Sequence, residues 1–101
     1  MEFIKEDELK KLQEEGKKIL VQYTAAWCGP CRALTPRLGN ISNEYNDIQF
    51  FKLDIDENPN AVMEMEIRSV PTVVVYDGNT VIDRSVGAHP DGYYKEILSS
   101  L

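Results

Sequence analysis

The run Ile19, Leu20, Val21, Gln22, Tyr23 and Thr24 is almost unbroken in apolar and strand-favouring side chains. A strand with one wet face alternates polar and apolar residues, whereas a strand covered on both faces does not. The run therefore calls for layers of structure on both sides of a sheet, and it leads straight into Trp27, Cys28, Gly29, Pro30 and Cys31. Beyond the cysteines, Leu34, Leu38, Ile41 and Tyr45 recur at intervals of four, three and four, the spacing of one core-facing helical stripe. Pro36 lies inside that helix, where the missing backbone donor should bend the axis.

The rest of the chain supplies the other layers. Glu2 to Ile4 reads as a short strand, and Glu6 to Glu15 as an amphipathic helix with Leu9 and Leu12 on one face, stopped by Gly16. Ile48 to Asp56 alternates Phe51, Leu53 and Ile55 with Phe50, Lys52 and Asp54, which makes a third strand. Asn58 and Pro59 read as the cap and first turn of a short helix ending before Arg68. Thr72 to Tyr76 and Thr80 to Val86, joined by Asp77, Gly78 and Asn79, read as an antiparallel hairpin ended by Gly87. In the tail from Asp91, Tyr94, Ile97, Leu98 and Leu101 have helical spacing. The order βαβαβαββα predicts an α/β fold with a mixed central β-sheet and helices on both faces, because the early strands need helical crossovers and the late pair only a turn. At 101 residues, 43% of them apolar, one domain over residues 1–101 is expected.

Charge and cysteine usage narrow the function classes. A net charge of −6 argues against nucleic acid, whose phosphates need clustered Lys and Arg. No apolar run is long enough to span a bilayer. The start Met1, Glu2, Phe3, Ile4, Lys5 has neither region of a secretory signal, so a cytoplasmic protein is expected. In a reducing compartment two cysteines point to redox or metal chemistry more than to a structural bridge. A structural zinc wants four ligands, and Cys28, Cys31 and the distant His89 are the only Cys and His, so no metal is expected.

A strand ending at Thr24 and a helix beginning near Cys28 put the first sulfur beside unpaired amides at the positive end of the helix. That field favours thiolate by about 0.3–2 kcal/mol. Cys31, three residues on, shares the helical face but sits further inside the first turn. Cys28 is thus expected to attack a target disulfide as nucleophile, and Cys31 to resolve the mixed disulfide by attacking the Cys28 sulfur. Gly29 lets the backbone turn tightly, and Pro30 is pre-set for the first helical turn.

The string Ala26, Trp27, Cys28, Gly29, Pro30, Cys31, Arg32, with Pro36 downstream, resembles the active-site motif of the thioredoxin family. Protein disulfide isomerase domains and glutaredoxins carry other dipeptides between the cysteines. The resemblance extends to Lys52 and Asp56, to Val70, Pro71 and Thr72 as the family's cis-proline loop, and to Gly87 and Ala88 as its second substrate-facing turn. It covers Phe3 to Leu101 and implies the thioredoxin fold, reduction of protein disulfides by dithiol exchange, and a monomer. It also implies no bound cofactor beyond the redox-active Cys28–Cys31 disulfide, which a thioredoxin reductase (a flavoprotein using NADPH) or an equivalent reductase would reduce.

Under that resemblance Trp27 forms an apolar rim with Pro30, Val70 and Ala88, and a cis Val70–Pro71 peptide turns the Val70 backbone toward an incoming peptide strand. Taken alone, Trp27 would default to core packing and Pro71 to an ordinary trans proline at a strand start. His89 reads as a surface residue, and Arg32 either adds positive potential near the thiolate or is a solvated helix residue. A non-redox docking module on the same fold is an alternative from another class, and an oxidase or isomerase is the enzymatic rival.

Two positions depart from the family pattern. Gln22 stands where the family carries a buried aspartate thought to deprotonate the resolving cysteine, and Thr24 where Trp is frequent. Gln22 cannot take up a proton; it would either slow the step at Cys31 or simply satisfy a hydrogen bond through water. Lys52 thereby loses its usual carboxylate and should pair with Asp54 or Asp56, snorkel, or shed its charge.

Overall fold

The computed structural model describes all 101 residues. Nine elements follow in chain order: β1 (Glu2–Phe3), α1 (Glu6–Glu14), β2 (Lys18–Thr24), α2 (Gly29–Ser42), β3 (Gln49–Asp54), α3 (Pro59–Glu64), β4 (Thr72–Asp77), β5 (Thr80–Val86) and α4 (Asp91–Ser99). They form one five-stranded sheet of order β1-β3-β2-β4-β5. β3 runs parallel to both β1 and β2, whereas β4 is antiparallel to β2 and β5. The mixed sheet and its element order match the sequence-based expectation.

The nearly continuous apolar run is the central strand. Ile19, Val21 and Tyr23 of β2 pack with Leu9 of α1, Ala61 of α3, Leu53 and Val74 on one face of the sheet. Leu20 points the other way, with Leu34, Leu38 and Ile41 of α2 and Tyr94 and Leu98 of α4. Side-chain alternation along β2 therefore sends Gln22 to the α2 face as well. On the α1 face the hydroxyls of Tyr23 and Tyr76 meet at 2.8 Å, both rings buried. Burial raises the pKa of both phenols.

Element ends differ from the sequence reading where turn chemistry intervenes. α2 closes at Ser42, so Tyr45 leaves the helix and its hydroxyl donates to the Lys95 carbonyl at 3.1 Å. β3 ends at Asp54, the last residue opposite β2, because the Asp54 carboxylate accepts the Asp56 N–H at 2.9 Å and turns the chain. Asn58 precedes α3 without capping it. Its amide instead donates to the Asp54 carbonyl at 2.8 Å and its Oδ1 accepts the Glu6 N–H at 2.9 Å, so it caps α1 across the fold. Asp77 belongs to β4, which leaves Gly78 and Asn79 as the hairpin turn. Gly78 has φ +61°, and a Cβ there would lie 3.3 Å from the Gly16 Cα, so backbone packing and conformation both call for glycine.

Candidate active site

β2 delivers the chain to its C-terminal end, where chemistry in such sheets gathers, and Cys28 becomes the N-cap of α2. The Cys28 Sγ accepts the Cys31 N–H at 3.2 Å, so an orphan amide of the first turn points at the sulfur. The two sulfurs form a disulfide with Cα atoms 5.3 Å apart. Cys31 is fully covered and Cys28 is 5% exposed, while Gly29 and Pro30 stand open to solvent. Ala25 packs with the cysteines, and Ile55 and Val70 lie against that cluster.

The second wall comes from the loop before β4. The Val70–Pro71 peptide is cis, the isomer the resemblance implies. The Val70 carbonyl oxygen lies 3.7 Å from the Cys28 Sγ. Gly87, at φ +82°, donates its N–H to the Pro71 carbonyl at 2.8 Å, which fastens the turn of Gly87 and Ala88 to this loop. Trp27 is 68% exposed, so it does not pack in the core, and its indole N–H donates to the Asp56 carboxylate at 3.1 Å. The Arg32 guanidinium donates to the Ala26 carbonyl at 2.8 Å and braces the loop that carries Trp27.

Beneath the cysteines lies a polar contact that the sequence did not reveal. Gln22, fully buried, donates from Nε2 to the Cys31 carbonyl at 3.1 Å. The Thr35 hydroxyl lies 3.0 Å from both the Gln22 Oε1 and the Cys31 carbonyl, and donates its one proton between them. Gln22 is thus held by direct bonds at both its nitrogen and its oxygen. Thr35 stands four residues after Cys31, one turn along the same face, and that spacing was the available signal.

Lys52 finds neither expected carboxylate. Asp54 is occupied with the Asp56 N–H, and Asp56 with Trp27. Phe3 is the register partner of Lys52 on β1, and the ammonium lies 4.1 Å from its ring centroid, a cation–π contact. His89 is half-buried at the surface: its ring stacks on Tyr93 at 4.6 Å and its Nε2 lies 3.0 Å from the Val86 carbonyl. No group of three or more His, Cys, Asp or Glu side chains is arranged to hold a metal, and no helix is long and apolar enough to cross a membrane.

The family model described as Thioredoxin matches residues 2–99. The chain belongs to the thioredoxin family. Thioredoxin from Coprinus comatus is 39% identical over 97 residues, 94% of this chain and 92% of that protein. Thioredoxin H2 of Arabidopsis thaliana is 34% identical over 87 residues, 86% of this chain, and the match spans 65% of that longer protein. Among solved structures, Fasciola hepatica thioredoxin superposes with a TM-score of 0.86 at 30% identity, covering 98% of this chain and 96% of that one. This chain is accordingly a thiol–disulfide oxidoreductase acting on protein disulfides through the Cys28–Cys31 pair. Of the two positions at which it departs from the family pattern, Gln22 is a buried neutral amide braced by Thr35.

Proposed function

We propose that the chain is a dithiol reductant in which Cys28 is the nucleophile and Cys31 the resolving residue. The observation that carries the assignment is the Cys31 N–H aimed at the Cys28 sulfur, with Cys31 itself sealed from solvent. Cys28 thiolate attacks one sulfur of a target disulfide; a new S–S bond forms and the second target sulfur leaves as thiolate and is protonated. Cys31, once deprotonated, attacks the Cys28 sulfur, forms the Cys28–Cys31 bridge and releases the first target sulfur as a thiol. Two electrons pass to the target, and the chain ends oxidised.

The substrate face comprises Trp27, Val70, Pro71, Gly87 and Ala88. Backbone groups at Val70, 3.7 Å from the attacking sulfur, pair with an extended target segment, a mode that reads backbone and tolerates many sequences. Gln22, bonded to the Cys31 carbonyl, tunes the site from below, and Lys52, its register partner on β3, adds its charge to the same sheet. The bridge is reduced again by an NADPH-dependent flavoprotein, a thioredoxin reductase or its equivalent. The chain works in the cytoplasm as a monomer and a single domain with no bound cofactor.

Trapping tests the assignment. Cys31→Ser should accumulate a mixed disulfide with a target protein through Cys28, and Cys28→Ser should accumulate none. The reverse pattern overturns the roles. A reduction potential below that of the glutathione pool is the expected mark of a reductant; a higher one would point to an oxidase or isomerase.

A further inference from the structure

Glu66, Arg68, Ser69, Thr72, Arg84 and Val86 line an open cleft of about 280 Å³. Ser69 and Thr72 flank the Val70–Pro71 peptide, so the cleft begins beside the backbone that faces Cys28. The Arg84 guanidinium donates to the carbonyls of Met65 and Glu66. Carbonyl oxygens orient a guanidinium without cancelling its charge. Arg68 is exposed, and neither arginine takes part in any ion pair of the chain. Glu66 is the only acid lining the cleft, which leaves a local excess of one positive charge in a protein of net charge −6.

We propose that this cleft is a subsite for a carboxylate side chain of the substrate, two or three residues from the cysteine that Cys28 attacks. A strand advances about 3.3 Å per residue, and alternate side chains share a face, so a segment paired at Val70 carries a residue at that distance over Thr72 and Ser69. Protein disulfides flanked by Asp or Glu on this side are therefore preferred over those flanked by Lys or Arg. At physiological salt the Debye length is about 8 Å, so the remote acids of the chain are screened while arginines at contact are less so. The inference rests on the pairing of substrate with Val70.

The test is kcat/KM for disulfide peptides alike except for Glu, Gln or Lys at two and three residues on either side of the cysteine. On one side the Glu peptide should exceed the Lys peptide by about 1.4- to fivefold, the range of exposed charge pairs, with the Gln peptide between them. The ratio for Glu against Lys is read within each variant, which removes any general loss of activity. Arg68→Gln, which disturbs no hydrogen bond of the fold, should cut the ratio, Arg68→Gln with Arg84→Gln should bring it to unity, and Glu66→Gln should enlarge it. Equal rates for Glu and Lys peptides at every position, or a preference that survives the double replacement, overturns the subsite alone. Failure to reduce any peptide, the Gln peptides included, overturns the docking face and the subsite with it.

Discussion

The side chains of Gln22 and Thr35 meet at 3.0 Å beneath the active-site helix, and both reach the carbonyl oxygen of Cys31. The amide is oriented by this contact: Nε2 faces the carbonyl and Oε1 the hydroxyl. No member of the cluster titrates near neutral pH. This cluster therefore offers the Cys31 thiol no base.

The resolving step should then follow the ionisation of Cys31 alone, rising about tenfold per pH unit until the thiol is deprotonated, because only thiolate attacks. Gln22→Asp should flatten that profile and speed the step near pH 7. A general base in contact gives about 100-fold or more, so a carboxylate placed beyond contact should give roughly tenfold. Rapid-mixing fluorescence of Trp27, beside Cys28, measures the step. Identical profiles for the two proteins would defeat the prediction.

Thr35→Val removes the donor to the Gln22 Oε1 and leaves a buried amide oxygen short of a partner. The expected loss is about 1–2 kcal/mol of unfolding free energy, with Thr35→Ser retaining most of it. Urea denaturation of the oxidised proteins checks this. A Val variant as stable as the parent would mean that the hydroxyl bonds only its own helix carbonyl.

The sheet, both cores and the cysteine pair were legible because periodicity reports faces, and the β2 run reports a strand covered on two of them. Bond partners distant in sequence were not. Asn58 beside Pro59 has the pattern of a local cap, yet its side chain serves Glu6, 52 residues away. Asp54 and Asp56 are the near neighbours of Lys52, but turn and indole donors hold both. Thr35 had only its spacing from Cys31 to mark it, since a threonine within a helix is unremarkable until Gln22 is known to face it.

Tyr23 and Tyr76 share one hydrogen bond between buried hydroxyls, and burial holds both pKa values above the ordinary phenol range. A raised folded-state pKa gives stability that is complete below the unfolded value, about 10, and lost as pH climbs beyond it. Thermal unfolding should be insensitive to these groups from pH 7 to about 9.5 and fall above pH 10. The Tyr23→Phe, Tyr76→Phe double variant should lose that part of the alkaline decline. At pH 7 either single replacement strands the other hydroxyl, at about 1–2 kcal/mol, and the double replacement should cost less than the sum. Strict additivity would show that the hydroxyls are not coupled.

Lys52 rests on Phe3 across the β1–β3 ladder, with Gln22 as its register partner on the opposite side, in β2. Phe3 is 62% exposed, so its ring stands largely open to solvent and carries the contact with the ammonium. Phe3→Leu keeps an apolar residue in the two-residue strand but removes the ring face. The expected cost is about 0.5–1 kcal/mol, the range for exposed cation–π pairs. Gln22→Asp offers Lys52 a carboxylate from the adjacent strand, so the same Phe3 replacement in that background should cost less. A double-mutant cycle by urea denaturation reads the difference. A cycle that closes at zero would show that Lys52 keeps its place over the ring whatever stands at position 22.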